Sequence, residues 1–180
     1  MKALASLAHA IDRLNQIVGR SVAWLALGMV LVQFIVVVMR YVFGIGSIAM
    51  QESIIYMHGA VFLLAAGYTL WRGGHVRVDI FYRGASATKK AIVDLLGVIF
   101  LLIPVITTIW LVSWPYVSQS WAVREGSQET SGIQAVFLLK TFILIFSILV
   151  LLQGISLAAH SILILAGLEK PEPENGSEAA

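Results

Sequence analysis

Four long apolar stretches, none with a charge near its middle, constrain this chain more than any other feature. They run from about 21 to 39, 53 to 71, 91 to 113 and 140 to 165. About 20 helical residues at 1.5 Å each cross the ~30 Å hydrocarbon layer of a bilayer. Lipid offers no partner for backbone N–H and C=O groups, so a spanning segment must satisfy them internally, as a helix does. Of 180 residues, 59% are hydrophobic and 12% charged. Soluble domains carry about 45–50% and about 25%. The expected architecture is an all-α integral membrane protein of four transmembrane helices. Around that domain, residues 21–166, the reading places an amphipathic N-terminal helix over 1–20, a polar outer loop, and a disordered acidic tail over 167–180.

Charge asymmetry orients the spans. Lys2, Arg13, Arg20, Arg72, Arg77, Arg83, Lys89, Lys90 and Lys170 fall on one side, and Arg40, Arg124 and Lys140 on the other. The side richer in Lys and Arg is cytoplasmic, so both termini are expected inside. These basic residues flank the spans, which makes membrane phospholipids their expected partners and not nucleic acid. Aromatic residues mark the interfaces: Trp114, Tyr116 and Trp121 past the third span, Tyr41 and Phe43 past the first, and Trp71 at the end of the second.

Within the first twenty residues, Leu4, Leu7, Ala8, Ile11, Leu14 and Val18 recur at helical spacing, while Lys2, Asp12, Arg13 and Gln16 face elsewhere. Such a helix suits a membrane surface. The rival reading is a signal peptide cleaved near Ser47-Ile48-Ala49. The leader is amphipathic and the apolar stretch exceeds the about 7–15 residues of a signal core, which argues against cleavage. Pro115 is expected to end or bend the third helix. Tyr116, Ser120 and Trp121 keep helical spacing within the following loop. The tail is acidic and rich in Pro and Gly, as disordered segments are.

With no cysteine, disulfides, thiolate metal sites and thiol nucleophiles are excluded. No ionisable side chain other than histidine lies deep in a span; Glu52 and Asp94 sit at span ends. A proton-coupled antiporter needs a carboxylate in mid-membrane, and none is present. His58 lies near the outer end of the second span and His160 near the inner end of the fourth. Ligation of one haem by both is therefore disfavoured, and interhelical hydrogen bonds are the plainer reading. Gln33 and Gln153, inside their spans, suit the same role within the bundle or toward a partner. Ser53, Ala60 and Gly67, with Gly59 and Ala66 beside them, give the second helix a small-residue face that admits a close neighbour. Pro104 is expected to bend the third helix. After Trp71, Gly73-Gly74 permits a turn. Val76, Val78 and Ile80 then alternate with His75, Arg77 and Asp79, which suits a short extended stretch or an anchor for anionic headgroups.

Three stretches resemble the small, DctQ-like membrane subunit of tripartite ATP-independent periplasmic (TRAP) transporters. They are Arg40-Tyr41-Val42-Phe43-Gly44, the acidic Glu52 opening the second helix, and Tyr68-Thr69-Leu70-Trp71-Arg72-Gly73-Gly74-His75-Val76-Arg77-Val78-Asp79. The resemblance extends from about Leu14 to Leu165. Where relatives often carry an acidic pair before the second helix, Ala49-Met50-Gln51-Glu52 offers one carboxylate. The resemblance implies a non-catalytic small permease subunit in a bacterial inner membrane, without metal or cofactor. Its implied partners are a large multi-span, elevator-type permease subunit, which it scaffolds, and a periplasmic substrate-binding protein. The implied process is sodium-coupled uptake of organic acids. It also marks Arg40, Tyr41, Glu52, Trp71, Arg72, Gly73, Gly74, His75, Arg77 and Asp79 as interface residues toward the large subunit or lipid. A haem-bearing anchor of a redox enzyme and a small homodimeric exporter are the competing readings.

Overall fold

The computed structural model describes residues 2–75 and 84–169. Within them the regular structure is helical throughout. Helix α1 spans Lys2–Val42, α2 Ile48–Leu64, α3 Ala66–Trp71, α4 Ala87–Gly97, α5 Ile103–Ala122 and α6 Val136–Leu165. A π-helical turn, Val98–Leu102, joins α4 to α5, and Ala65 alone separates α2 from α3. The result is four rods long and apolar enough to cross a membrane: Lys2–Val42, Ile48–Trp71, Ala87–Ala122 and Val136–Leu165.

Helix ends follow local chemistry. Ser47 caps α2 by accepting from the Met50 N–H at 3.4 Å, and Ser86 does the same for Lys89 on α4. Past Trp71, Gly73 takes φ +64°. The Gly73 N–H then reaches the Leu70 carbonyl (3.1 Å) and the Gly74 N–H the Thr69 carbonyl (2.9 Å), which satisfies the last turn of α3. Gly167, at φ +70°, closes α6 in the same way.

Helix α1 is unbroken at residue 20, so the leader and the first apolar stretch form one rod of 41 residues. At 1.5 Å per residue it is roughly 60 Å long, well beyond a ~30 Å hydrocarbon layer. The leader's buried stripe is Ala8, Ile11, Asn15 and Gly19, whereas Leu7 and Leu14 are exposed. The apolar positions of the leader therefore divide: Ala8 and Ile11 pack inside the bundle, and Leu7 and Leu14 lie on its surface. Small residues at Ala8 and Gly19 bring α1 close to its neighbours, which bulky leucines would prevent.

Helix α6 is the centre of the bundle and touches every other helix. Its buried positions include Ser147, Gly154, Ser156, Ala159 and Ser161. Small residues allow backbones to approach where lipid provides no hydrophobic force between helices. Elsewhere the surface is strongly apolar: Trp24, Phe34, Phe62, Phe100, Leu101 and Val112 are all at least 66% exposed. In water this surface would drive aggregation, whereas in a bilayer it faces a matching solvent.

Both prolines of the third span lie inside helical structure. The π turn precedes Pro104, with the Ile103 N–H reaching back to Val98. This widening relieves the crowding between a proline ring and the carbonyl four residues earlier. The Leu102 side chain then lies over Gly154 of α6, where an added Cβ would come within 2.7 Å of it. Pro115 does not end its helix, as α5 continues to Ala122. Trp121 donates from Nε1 to Thr141 Oγ1 of α6 at 2.8 Å, holding the extension in place.

The small-residue face of α2–α3 meets two different helices. A Cβ on Gly59 would lie 2.9 Å from Leu139 of α6. One on Gly67 would lie 2.1 Å from Asn15 Oδ1 and 3.1 Å from the Leu149 carbonyl. Replacing Gly67 by Ala is expected to lower the melting temperature of the detergent-solubilised protein, at a cost of about 1–3 kcal/mol for overpacking. Gly97→Ala, with nothing within 4 Å of the new methyl, is the control and should not lower it, since alanine suits a helix better than glycine.

Candidate functional site

The residues singled out in the sequence fall at opposite ends of the bundle. Arg40, Tyr41 and Glu52 belong to the end where α2 starts; Trp71, Arg72, Gly73, Gly74 and His75 belong to the end where α3 stops. Between these groups α2 and α3 run for 24 residues, roughly 36 Å. Arg77, Asp79 and the alternating stretch around them lie outside the described residues, as does the tail from residue 170.

At the first end, Glu52 organises the loop between α5 and α6. One carboxylate oxygen accepts from the Ser127 hydroxyl, and the other from the Ile133 N–H at 2.5 Å. Ser127 in turn accepts from the Glu129 N–H at 3.1 Å. Arg40, across the connection, is not among the partners of Glu52; the loop takes the carboxylate because it folds directly over the start of α2. Beside this, Glu125 bonds Lys140 (2.5 Å) and Ser120 (2.7 Å), and Lys140 stands 3.9 Å from the centre of the Tyr116 ring. Hydrogen bonds from Lys140 and then Ser120 hold the Glu125 carboxyl below its usual range. Arg124 adopts φ +46°, with its N–H and that of Glu125 closing α5 onto Trp121 and Ser120.

At the other end, Trp71 packs against Tyr68 with ring centroids 5.7 Å apart, and the Arg72 guanidinium lies 5.7 Å from the Trp71 ring. Arg72, Gly73, Gly74 and His75 are exposed. A cation here also complements the C-terminal pole of the helix.

The most connected polar group was not among the residues singled out. Asp12 of α1 turns toward α6, not toward the polar face assigned from spacing. Its Oδ1 accepts from Ser156 Oγ (2.6 Å) and Gln153 Nε2 (2.8 Å), and its Oδ2 lies 3.0 Å from His160 Nε2. Gln153 Oε1 accepts from Asn15 Nδ2 at 2.9 Å. Past α6, the turn at Gly167 brings Glu169 back to His160 Nδ1 at 2.8 Å. His9 meets His160 edge-on, with centroids 5.4 Å apart. Asn15 is fully buried. Its Oδ1 has no hydrogen-bond partner and abuts Gly67, where only a glycine leaves room. A signal was present in the spacing: Asp12 and Asn15 are three apart on α1, and Gln153, Ser156 and His160 fall at i, i+3 and i+7 on α6.

The histidines consequently differ from a haem pair. Both ring nitrogens of His160 face carboxylates, while His58 stacks on Phe62 with centroids 6.2 Å apart. Gln153 makes the interhelical bonds expected of it, whereas Gln33 lines an open recess with Arg40 and Tyr41. No grouping of three or more His, Asp or Glu suited to a metal ion occurs among the described residues.

This is a bundle built for contact: clamps at both ends, and a broad apolar surface between them. The family model for the DctQ component of tripartite ATP-independent periplasmic transporters matches residues 29–164. The chain therefore belongs to that family, and is a membrane component of a TRAP transporter. No curated protein and no solved structure matches it.

Two outcomes follow from the clamps. Asp12→Ala leaves Gln153, Ser156 and His160 without their shared acceptor. Hydrogen exchange in the first half of α1 should rise, with a stability loss of about 1–3 kcal/mol. A depressed carboxyl stabilises the folded state above the ordinary carboxylate range and loses that contribution as pH falls through it. Proteolysis within residues 123–135 should thus accelerate below about pH 4, and Glu125→Gln should abolish the pH dependence that this pair contributes.

Proposed function

We propose that the chain is the small permease subunit of a sodium-coupled importer of organic acids, and that it scaffolds a large elevator-type permease subunit. It would lie in the bacterial inner membrane with both termini cytoplasmic. The Arg40–Glu52 end would then face the periplasm and the Trp71–His75 end the cytoplasm. A periplasmic substrate-binding protein would deliver the cargo to the assembled pair.

The observation that carries this reading is where the charges lie. The apolar middles of the four rods contain no Asp, Glu, Lys or Arg. Three charged side chains of the described helices are held by bonds to other parts of the chain: Glu52 to the α5–α6 loop, Lys140 to Glu125, and Asp12 to Gln153, Ser156 and His160 of α6. An ion-coupled carrier moves its ion through groups that load and unload within the membrane. A bundle whose Asp12, Glu52 and Lys140 are each tied down by bonds between helices and loops suits a fixed frame better than a moving gate, and family membership supports the same assignment. Arg40, Tyr41 and Glu52 would set the frame's outer register. Trp71, Arg72 and His75, with Arg77 and Asp79 beyond them in sequence, would set the inner register at the headgroup level.

Purification of the tagged chain in mild detergent should recover a large multi-span permease at 1:1 stoichiometry. In proteoliposomes, the pair plus a substrate-binding protein should take up an organic acid on an inward sodium gradient, and the chain alone should take up nothing. Uptake by the chain alone, or copurification with a redox enzyme in place of a permease, would refute the assignment.

A further inference from the structure

Helix α1 carries one stripe along its length, and only part of it is covered. Asn15 and Gln33 are 18 residues apart, and Arg40 lies seven beyond Gln33. At 3.6 residues per turn these intervals are five turns and about two, so the three share a face. In the first half that face is closed. Asn15 bonds Gln153 of α6, and a Cβ on Gly19 would come within 2.4 Å of Tyr68 on α3. In the second half α1 packs along α2, with Gly28 beside Met57, but leaves part of the face open. A recess of about 360 Å³ opens between them, with Gln33, Val36, Val37, Arg40, Gln51 and Ile54 in its lining.

The polar groups in this wedge have no partner among the described residues. Gln33, Arg40 and Gln51 are exposed, and their side chains make no hydrogen bond or ion pair among the described residues. Gln33 is three residues from the middle of the 21–39 stretch, about 4.5 Å along the helix. A primary amide at that depth needs a hydrogen-bonding partner, and an acyl chain has none to offer. A phospholipid headgroup would satisfy Arg40 at the mouth but not Gln33 below it. A second copy of this chain related by a two-fold axis would match Gln33 with Gln33. It would also bring two Arg40 guanidiniums together, which is repulsive in a low-dielectric setting.

We infer that the wedge between the outer halves of α1 and α2 seats one transmembrane helix of the large permease subunit. That helix would carry a hydrogen-bonding side chain at the depth of Gln33 and an acidic side chain, or free C-terminal carbonyls, against Arg40. The inference rests on the assembly proposed above and adds which face of this chain makes it. The valines and Ile54 supply a groove for packing, and the amide fixes depth and rotation in the way interhelical polar groups do.

The test is site-specific photo-crosslinking in the co-expressed complex. A photoreactive side chain at Val37 or Ile54 should give an adduct with the large subunit, several-fold above one placed at Leu31, which is exposed on α1 about 120° from Val37 and about 160° from Gln33. In parallel, Gln33→Leu should lower recovery of the large subunit about 3- to 20-fold, the range expected for one interhelical polar bond, while Leu31→Ala should not. If the large subunit copurifies but crosslinks at Leu31 and not at Val37, this placement is wrong and the proposed function stands. Adducts at Val37 with lipid or with a second copy overturn the placement too, as does unchanged recovery of Gln33→Leu. If the unmodified chain recovers no large permease, the proposed function fails and this inference fails with it.

Discussion

The bundle depends on what holds helices together where burial in lipid provides no driving force. Lipid tails are as apolar as leucine, so association comes from close packing and polar bonds. Helix α6 supplies both. Its buried Ser147, Gly154, Ser156, Ala159 and Ser161 keep neighbouring backbones near. Gln153 and Ser156 then bond Asp12 of α1, and Leu102 of the π turn settles over Gly154. Remove these small and polar positions and the remaining apolar rods would have little to choose between one another and the lipid.

Two clamps divide the labour along the bundle axis. At one end the carboxylate of Glu52 gathers the α5–α6 loop over the start of α2. At the other, Asp12 ties the extended foot of α1 to the C-terminal part of α6, and Glu169 reaches back to the same His160. Each carboxylate bonds several donors from a different part of the chain, which limits the cost of desolvating it. A chain pinned at both ends keeps its shape while a partner moves against it. That property is what the frame role proposed above calls for, and it coexists here with an open recess between the outer halves of α1 and α2.

Helix length bears on the same point. Rods of 41 and 36 residues exceed what a bilayer requires. The excess in α1 is packed against α3 and α6 by Ala8, Ile11, Asn15 and Gly19. A leader that reads as a surface-lying helix is thus an integral strut of the bundle. Likewise the segment after Pro115 extends α5, because Trp121 and Ser120 find partners in Thr141 and Glu125.

The solvent and the class of protein were legible along the chain before any packing was known. Four apolar stretches with no charge near their middles satisfy their backbones as spanning helices, and the motif around Arg40, Glu52 and Trp71–Asp79 pointed to the family that the matching of residues 29–164 established. These are local properties, set by length, hydropathy and short motifs. Which polar residues meet is a property of the packed bundle. Asp12 and His160 are 148 positions apart, and Glu52 and Ile133 are 81 apart. No periodicity within one helix reveals the rotation of another. The same holds for Asn15 beside Gly67, for the π turn that accommodates Pro104, and for the uncovered stretch of α1 at Gln33. Each depends on how two rods are rotated and how closely they approach, which is settled when the whole bundle packs.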